Sequence, residues 1–288
     1  MILGVVASFF GAFLQAINYV VTQRCQKKYL IDGVKLLVAI HIFMGIVALS
    51  MSIAFELFKF LPADSIWLFL KVNIPYLTAQ YFLLSAIKQS DASIVSPLLA
   101  LKVPVLALLA LAGGQYNFSA NQILSIVLIV MLAFCFSALS GRLLLKPLCY
   151  IFFASIGYSF SDVAITEFSH QLPFDLPIYQ AFATICLNYS FCGLLALLFI
   201  RPFDVSLSDV WCSKWVALTW FVAVMFLILG FNLSGVVSGN IVQTLRGVIG
   251  VVIAFFLFRK VVDQPMKLWL KKLAIAFLMV FAVTIYYL

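Results

Sequence analysis

A lysine near the middle of an apolar, membrane-length stretch constrains this chain more than any other sequence feature. The stretch covers residues 93–112, with Lys102 near its centre and Pro104 two residues later. A second apolar stretch, 238–258, carries Arg246 at the corresponding place. A fixed charge at the centre of a bilayer costs at least about 2.5–3.5 kcal/mol, so it needs a partner, water or a ligand. The chain must therefore build a polar interior within a membrane bundle.

The two cations also indicate an internal duplication. They lie 144 positions apart, which is half of the 288-residue chain. Other residues match at the same offset: Trp67 with Trp211, Thr22 with Thr166, and Asn18 with Asp162. We therefore predict two repeats, 1–144 and 145–288, that together form one compact membrane bundle.

Composition places the chain in the membrane. Hydrophobic residues make up 65% of it and charged residues 10%, whereas a soluble domain has about 25% charged residues. Continuous apolar runs of helix length favour α-helices over the alternating strands of a barrel. We predict an all-α polytopic fold with ten transmembrane helices: 3–22, 34–55, 66–87, 93–112, 122–140, 147–167, 177–200, 215–232, 238–258 and 269–287.

Ten spans in two repeats give five helices to each repeat. An odd number of crossings forces the second repeat to lie inverted relative to the first, an arrangement common in secondary transporters. The sequence therefore predicts two inverted five-helix repeats.

Basic residues are distributed unevenly between the two ends of the predicted spans. Of eighteen Lys and Arg, two lie within spans and only Lys59 and Lys71 lie at connections after even-numbered spans. The other fourteen follow odd-numbered spans: Arg24, Lys27, Lys28, Lys35, Lys88, Arg142, Lys146, Arg201, Lys214, Arg259, Lys260, Lys267, Lys271 and Lys272. Because cytoplasmic loops are rich in Lys and Arg, this bias predicts cytoplasmic odd-numbered connections and outward-facing termini.

Several classes of function find no support in the sequence. The six cysteines have neither paired metal-ligand spacing nor a C-x-x-C pair, so we expect no metal site, cofactor or disulfide. No phosphate-binding G-x-x-x-x-G-K-[ST] motif indicates an ATPase. The net charge of +8 lies mostly at helix ends, which favours membrane orientation over nucleic-acid binding. The N-terminus lacks a basic region and a clear cleavage site, so we expect no signal peptide.

Two segments resemble a known transporter superfamily. Residues 86–105, Ala-Ile-Lys-Gln-Ser-Asp-Ala-Ser-Ile-Val-Ser-Pro-Leu-Leu-Ala-Leu-Lys-Val-Pro-Val, resemble the helix 3–4 junction of the EamA-type drug/metabolite transporter (DMT) superfamily. Residues 233–240, Leu-Ser-Gly-Val-Val-Ser-Gly-Asn, followed by Arg246, resemble the helix 9 region of its sugar-phosphate and nucleotide-sugar translocators. The resemblance implies a ten-helix carrier in which the Gly-Asn pair and a basic residue help hold a phosphorylated substrate. Many members have cytoplasmic termini, contrary to the charge bias, so the orientation stays open.

We expect the substrate site where spans 93–112 and 238–258 meet. Arg246 can grip a carboxylate or phosphate with two donors, and Lys102 either assists it or pairs with Asp162. Gln243 lies about one turn before Arg246 and should share its face. Further candidates for the lining of the site are polar or aromatic residues in other spans: Asn18, Tyr76, Gln80, Trp220 and Asn240.

Asp162 has three possible roles inside the membrane. It can be the counter-ion of Lys102 or Arg246, a proton carrier for coupling, or a structural acceptor. The counter-ion role is favoured, because it accounts for the burial of an acid and of a cation with the fewest assumptions. His41, alone in span 34–55, is interpreted as an interior histidine with its hydrogen bonds satisfied.

These observations predict a secondary active transporter that moves a small organic metabolite, anionic or zwitterionic, by alternating access. It would act as a monomer or homodimer in a plasma or inner membrane, with a coupling proton or counter-substrate as a further partner. An exporter of amino acids, or of cationic or neutral drugs, is the alternative within the same superfamily. A membrane enzyme and a non-transporting scaffold are the alternatives from other classes.

Overall fold

The computed structural model describes residues 2–31, 33–90, 92–114, 117–140, 144–258 and 266–288. Within these ranges the chain forms helices and no β-strand. The α-helices are α1 (Ile2–Tyr29), α2 (Gly33–Ala54), α3 (Ser65–Gln89), α4 (Ala92–Leu98), α5 (Lys102–Ala112), α6 (Ala120–Ser140), α7 (Leu145–Gln171), α8 (Pro177–Leu197), α9 (Leu207–Cys212), α10 (Lys214–Ser234), α11 (Val236–Gln243), α12 (Arg246–Phe258) and α13 (Met266–Tyr286). Short 3₁₀ turns cover Leu57–Phe60 and Leu99–Leu101.

Seven helical stretches within the described ranges are long enough and apolar enough to cross a membrane. They are Ile2–Tyr29, Gly33–Ala54, Val95–Ala112, Ala120–Leu139, Leu145–Gln171, Pro177–Leu197 and Lys214–Ser234. The chain is therefore a multi-pass α-helical membrane protein. The other three predicted spans are also helical, as α3, α11 with α12, and α13.

The ends of several helices differ from the predicted spans. The first helix continues to Tyr29 instead of ending at residue 22, because its basic end can stay helical outside the hydrocarbon. The short helix α9 was not predicted. Ser206 caps it by accepting from the Asp209 backbone N–H, while the Asp209 carboxylate accepts from the Ser206 backbone N–H.

Two antiparallel helix pairs make the most extensive helix–helix contacts in the described bundle. In one pair, α1 runs along α10, with Gly11 against Leu227 near one end and Asn18 bonded to the Val216 carbonyl further along. A Cβ at Gly11 would lie 2.7 Å from a Leu227 methyl, so the glycine permits this close approach. The two helices together bring the polar residues of α1 to the interior of the bundle.

In the other pair, α3 runs along α7. The rings of Phe69 and Phe168 lie 5.1 Å apart, and those of Phe82 and Phe153 lie 5.4 Å apart. The contacts run in opposite directions along the two helices, so α3 is antiparallel to α7. Since α7 is long and apolar enough to span a membrane, α3 accompanies a spanning helix over most of its length.

The helices α2 and α8 cross where two glycines meet. A Cβ added to Gly45 would lie 2.5 Å from the Gly193 Cα, so neither position has room for a side chain. The Ser52 and Ser190 hydroxyl oxygens lie 3.3 Å apart on the same interface. This contact joins the first half of the chain to the second.

Contacts between connections show which ones share an end of the bundle. Lys35, at the start of α2, forms an ion pair of 3.0 Å with Asp209 of α9. At the opposite end, the rings of Phe60 and Phe174 lie 4.9 Å apart. Lys35 and Asp209 both follow odd-numbered predicted spans, and both phenylalanines follow even-numbered ones. Of the basic residues used to predict orientation, Arg142, Arg259 and Lys260 lie outside the described residues.

The orientation can be tested with two exposed lysines at opposite ends. Lys28 lies at the end of α1 and Lys59 follows α2. If odd-numbered connections are cytoplasmic, Lys59→Cys should react with an impermeant thiol reagent in intact cells, whereas Lys28→Cys should react only after permeabilisation. The unmutated chain gives the background from its six free cysteines. The reverse pattern would place the termini in the cytoplasm.

The Lys35–Asp209 pair makes a pH-dependent contribution to stability. Partial burial alone would raise the pKa of Asp209, but hydrogen bonds from Ser206 and the Lys35 ammonium outweigh burial and lower that pKa below its ordinary value. A depressed carboxylate pKa stabilises the fold above the unfolded-state pKa, about 3.9, and this contribution is lost as the pH falls through the folded pKa.

We therefore expect Asp209→Asn to lower the free energy of unfolding by about 1 kcal/mol at pH 7 and by much less near pH 3. Thermal unfolding in detergent at both pH values measures the difference. Asp64→Asn is the matched control, because Asp64 also lies at the start of a helix, α3, but makes no side-chain capping bond. An equal loss at both pH values would contradict this account.

Candidate functional site

Both mid-span cations lie directly after a tight turn within a helical stretch. Lys102 begins α5 after the 3₁₀ turn Leu99–Leu101. Arg246 begins α12 after a turn in which Thr244 N donates to Ile241 O and Leu245 N donates to Val242 O, at 3.1 and 3.0 Å. Spans 93–112 and 238–258 were each predicted as one span, and each is interrupted at the residue before its cation. Short 3₁₀ segments within helices often mark functional hinges.

Asp162 of α7 is the counter-ion of Lys102. Lys102 Nζ lies 2.6 Å from Asp162 Oδ2, and Asn240 Nδ2 donates to the same oxygen at 2.8 Å. The Tyr158 ring faces the ammonium, with its centroid 5.7 Å from Nζ. Lys102 and Arg246 were the two possible ion partners of Asp162, and the structure pairs Asp162 with Lys102. One carboxylate neutralises one ammonium, so Asp162 has no second charge left for Arg246.

Arg246 is buried, and no carboxylate of the described residues pairs with it. Its Nη1 donates to Gln15 Oε1 at 3.0 Å, and its guanidinium carbon lies 6.0 Å from the Tyr19 ring centroid. Gln243 Nε2 donates to the same Gln15 oxygen at 2.9 Å. Within the described part of the chain, Arg246 Nε has no hydrogen-bond partner and no acid lies within ion-pair distance. A guanidinium only 4% exposed therefore keeps unused donors and an uncompensated charge.

These residues surround a cavity of about 40 Å³ at the centre of the bundle. Since a water molecule needs roughly 10–15 Å³, the cavity has room for a few waters and not for a metabolite. Among the described residues, the charged side chains that line it are Lys102, Asp162 and Arg246, which give a net charge of +1. Further polar groups in its wall are Gln15, Tyr19, Tyr76, Tyr158, Ser161, Asn188, Tyr189, Trp220 and Gln243. The cavity is narrow, lined by a net positive charge and rich in hydrogen-bond donors.

A chain of hydrogen bonds holds the aromatic wall of the cavity. Trp220 Nε1 donates to the Tyr189 hydroxyl at 2.9 Å, and the Tyr189 and Tyr76 hydroxyl oxygens lie 3.2 Å apart. His41 Nε2 lies 3.2 Å from the Tyr76 hydroxyl, while its Nδ1 lies 2.7 Å from the Leu37 carbonyl. An indole N–H only donates and a carbonyl only accepts. For a neutral imidazole, His41 Nδ1 therefore donates to the Leu37 carbonyl, the Tyr76 hydroxyl donates to Nε2, and the Tyr189 hydroxyl donates to Tyr76. His41 is a satisfied interior histidine, as predicted.

Three predicted site residues lie outside this cavity. Asn18 Nδ2 donates to the Val216 carbonyl at 2.7 Å and to Thr219 Oγ1 at 2.8 Å, so it joins α1 to α10. Gln80 Nε2 donates to the Tyr76 hydroxyl at 3.1 Å and, with Asn18, lines a separate cavity of about 10 Å³ behind Trp220. Asn240 acts on the site through Asp162. The predicted residues that line the central cavity are Lys102, Arg246, Gln243, Tyr76, Trp220 and Asp162.

Sequence reasoning missed several residues of the site. Gln15 is the sole described hydrogen-bond acceptor of both Arg246 and Gln243, and Tyr189 is the middle of the aromatic chain. A signal for Gln15 was present, because Gln15, Asn18 and Thr22 form a polar stripe within the apolar stretch 3–22 of α1. Tyr189 had no comparable signal among the chain's eleven tyrosines.

Comparison with known proteins supports the fold and does not identify a family. Among 27 matching chains of solved structures is one described only as "Crystal structure of protein". It superposes with a TM-score of 0.69 and 13% sequence identity, over 98% of this chain and 96% of that chain. At this identity the likeness establishes the fold alone, over nearly the whole chain. No family model and no curated protein sequence matches the chain.

The Lys102–Asp162 pair can be tested by a double-mutant cycle. Asp162→Asn leaves a buried ammonium without its counter-charge, so we expect the free energy of unfolding to fall by about 3–5 kcal/mol. Adding Lys102→Met to that variant should recover most of the loss, because the bare charge is gone. Thermal unfolding in detergent gives both values. The exposed Asp175→Asn is the control, and additive losses in the double variant would rule out a direct pair.

Proposed function

We propose that this protein is a secondary active transporter that moves a small organic anion or zwitterion across a membrane by alternating access. Arg246 binds the negative group of the substrate, with Lys102 assisting. The protein works in a plasma or inner membrane, and a proton or counter-substrate supplies the driving force.

The observation that carries this proposal is the uncompensated charge of Arg246. A structural arginine in a membrane interior is expected to have a full set of partners, because an unpaired buried charge costs several kcal/mol. Arg246 has one described hydrogen bond, to the neutral Gln15, and an unpartnered Nε. A carboxylate or phosphate offers two acceptors and the missing charge, and the planar guanidinium fork fits both groups.

The charge of the whole cavity favours the same substrate class. Lys102, Asp162 and Arg246 leave a net charge of +1, and their side chains are buried or nearly so. A cationic substrate would face repulsion in a region of low dielectric, where charges interact strongly. A monoanion, or the carboxylate end of a zwitterion, would bring the site to neutrality.

Ten crossings in two inverted repeats supply the moving parts in this proposal. At an offset of 144 positions, α1 corresponds to α7, α2 to α8, α4 to α11, α5 to α12 and α6 to α13, and each helix begins within two residues of its counterpart. Residues 65–89 of α3 shift to 209–233 and overlap α10, so the α1–α10 and α3–α7 pairs exchange under the same offset. This correspondence supports the duplication, and rigid repeats that rock about a central site are the usual basis of alternating access.

Access to the site requires a conformational change. A cavity of about 40 Å³ does not admit a metabolite, so the described state has no room for the substrate at the site. The turns before Lys102 and Arg246 lie at the centre of the bundle, where a hinge would move both cations relative to α1 and α7. Binding of an anion to Arg246 would relieve its uncompensated charge and so favour the occupied, closed state.

A transport screen in proteoliposomes tests the proposal. The wild type should accumulate labelled organic anions, and Arg246→Ala should lose affinity for them by on the order of 2–5 kcal/mol. Arg246→Lys keeps the charge but loses the fork, so its transport should fall well below wild type. Arg201→Ala, in an exposed turn, is the matched control.

Folding must be intact for the comparison to be valid, and gel filtration in detergent checks each variant. The anion site would be refuted if the best transported compound were a cation. It would also be refuted if Arg246→Ala moved an anion at the wild-type rate.

A further inference from the structure

The second, smaller cavity lies next to the central one inside the bundle. Its volume is about 10 Å³, which is enough for one water molecule. Although most of its wall is apolar, three polar side chains line it: Asn18, Thr22 and Gln80. The proposed anion site leaves this polar space without a role.

The two cavities follow the same faces of the helices that they share. On α3, Tyr76 lines the central cavity and Gln80, four residues later, lines the second cavity. On α10, Val224 lines the central cavity and Val216, eight residues earlier, lines the second cavity. At 3.6 residues per turn, such positions differ by about 40° and about 80° around the helix axis. Each helix therefore presents one continuous face to both spaces.

The second cavity extends towards the end of the bundle where Lys35 pairs with Asp209, the Lys35 end. Helix α10 begins directly after α9, which carries Asp209. A Cβ added to Gly33 would lie 3.7 Å from Leu84 Cβ, so the last part of α3 lies beside the start of α2 and Lys35. Because the second cavity is lined nearer to the end of α3 and to the start of α10, it lies between the central cavity and the Lys35 end.

Two aromatic side chains separate the cavities. Tyr19 and Trp220 line both spaces, and their ring centroids lie 6.5 Å apart. Trp220 Nε1 donates to the Tyr189 hydroxyl at 2.9 Å, and this bond fixes the position of the indole. Displacement of the two side chains would join the second cavity to the central one.

The second cavity has a counterpart in the other half of the chain. Seven of its ten lining residues correspond, at the offset of 144 positions, to residues that line the central cavity. Among these pairs are Gln80 with Val224, Val216 with Val72, and Trp220 with Tyr76. The central cavity therefore already includes the space that corresponds to the second cavity.

The boundary between the two spaces is not repeated in the other half. Tyr19 corresponds to Val163, which is smaller and lines neither cavity. A ring at position 19 thus helps to close the second cavity off from the centre, whereas position 163 contributes no ring. This difference accounts for one space being separate while its counterpart is part of the central cavity.

We propose that the second cavity is the closed half of the substrate path, the route between Arg246 and the Lys35 end, and that Tyr19 and Trp220 are its gate. This inference rests on the proposed function. In alternating access between two related halves, the two corresponding spaces exchange roles, so this space joins the centre when its counterpart is closed off. Tyr189 is a positioning residue, because it holds Trp220 in the closed arrangement.

The polar side chains beyond the gate suit the passage of an anion that carries water. Asn18, Thr22 and Gln80 offer amide and hydroxyl groups that can bond to such waters. None of the three is charged, so the substrate would not be held there as it is at Arg246. The space is thus suited to passage and not to tight binding.

Labelling from each end of the bundle tests the gate. Ser161→Cys places a thiol in the wall of the central cavity. The anionic, impermeant reagent 2-sulfonatoethyl methanethiosulfonate is applied to intact cells and to inverted vesicles, and Lys28→Cys and Lys59→Cys show which preparation exposes which end. Because the labelling rate follows the fraction of molecules with an open path, Trp220→Ala should raise the rate from the Lys35 end by on the order of tenfold. The rate from the opposite end should not rise.

Matched variants separate the gate from a general loosening of the bundle. Trp215→Ala removes the same kind of ring from α10, but Trp215 is 62% exposed and lines neither cavity, so labelling should not change. Tyr189→Phe removes only the hydroxyl that holds Trp220, so the rate from the Lys35 end should rise about two- to tenfold, the range for one hydrogen bond. Tyr19→Ala opens the gate from α1 and keeps the test valid if Trp220→Ala does not fold. Each variant without Ser161→Cys gives the background of the native cysteines.

The outcomes distinguish failure of the gate from failure of the proposed function. An equal rise from both ends would mean that the bundle had loosened, and an unchanged rate from the Lys35 end would mean that the path lies elsewhere. Either result would overturn the gate, and the anion transporter would stand if the wild type still moved anions in a manner that depends on Arg246. Absence of transport for every anion would refute the proposed function, and with it the assignment of this path to a substrate.

Discussion

The cost of a bare charge in hydrocarbon governs the interior of this protein. Lys102 and Arg246 are both about 4% exposed, yet they are compensated in different ways. Lys102 has the Asp162 carboxylate at 2.6 Å, whereas Arg246 has the neutral amide of Gln15. A neutral acceptor satisfies one hydrogen-bond donor but offsets little of the free energy needed to remove the charge from water. Within the described residues, the bundle therefore supplies a counter-charge to one cation and only a neutral partner to the other, and this difference is the basis of the proposed anion site.

The location of the site could be predicted from sequence because buried charge is a local signal. A lysine or arginine in an apolar stretch needs no knowledge of the fold to be recognised, and Lys102, Arg246 and Asp162 indeed line one cavity. The contacts that define the site are not local. Gln15 lies 231 positions from Arg246 and meets it because α1 packs near α12. Such a pairing depends on helix packing, which hydropathy and charge patterns do not encode.

The interruptions in the two central helical stretches show that the course of the backbone is likewise only partly predictable from sequence. In the first, Pro104 removes the backbone donor that the Ala100 carbonyl would otherwise use, so a disturbance near Lys102 had a sequence signal. The second has no proline between Gln243 and Arg246, yet it tightens into a turn there. Hydropathy measures how well residues suit the membrane interior and carries no information about helix winding. Both stretches were therefore predicted as uninterrupted spans.

Asp162, the acid that pairs with Lys102, corresponds in sequence to Asn18 at the offset of 144 positions. Asn18 uses its amide to fasten α1 to α10, through the Val216 carbonyl and Thr219. Asp162 at the matching position instead turns to Lys102 and accepts from Asn240. Asn18 is neutral and lies outside the central cavity, so the position that supplies an acid to Lys102 in one half supplies none to Arg246 in the other. The two matching positions have therefore diverged in role, since one holds a buried cation and the other fastens two helices together.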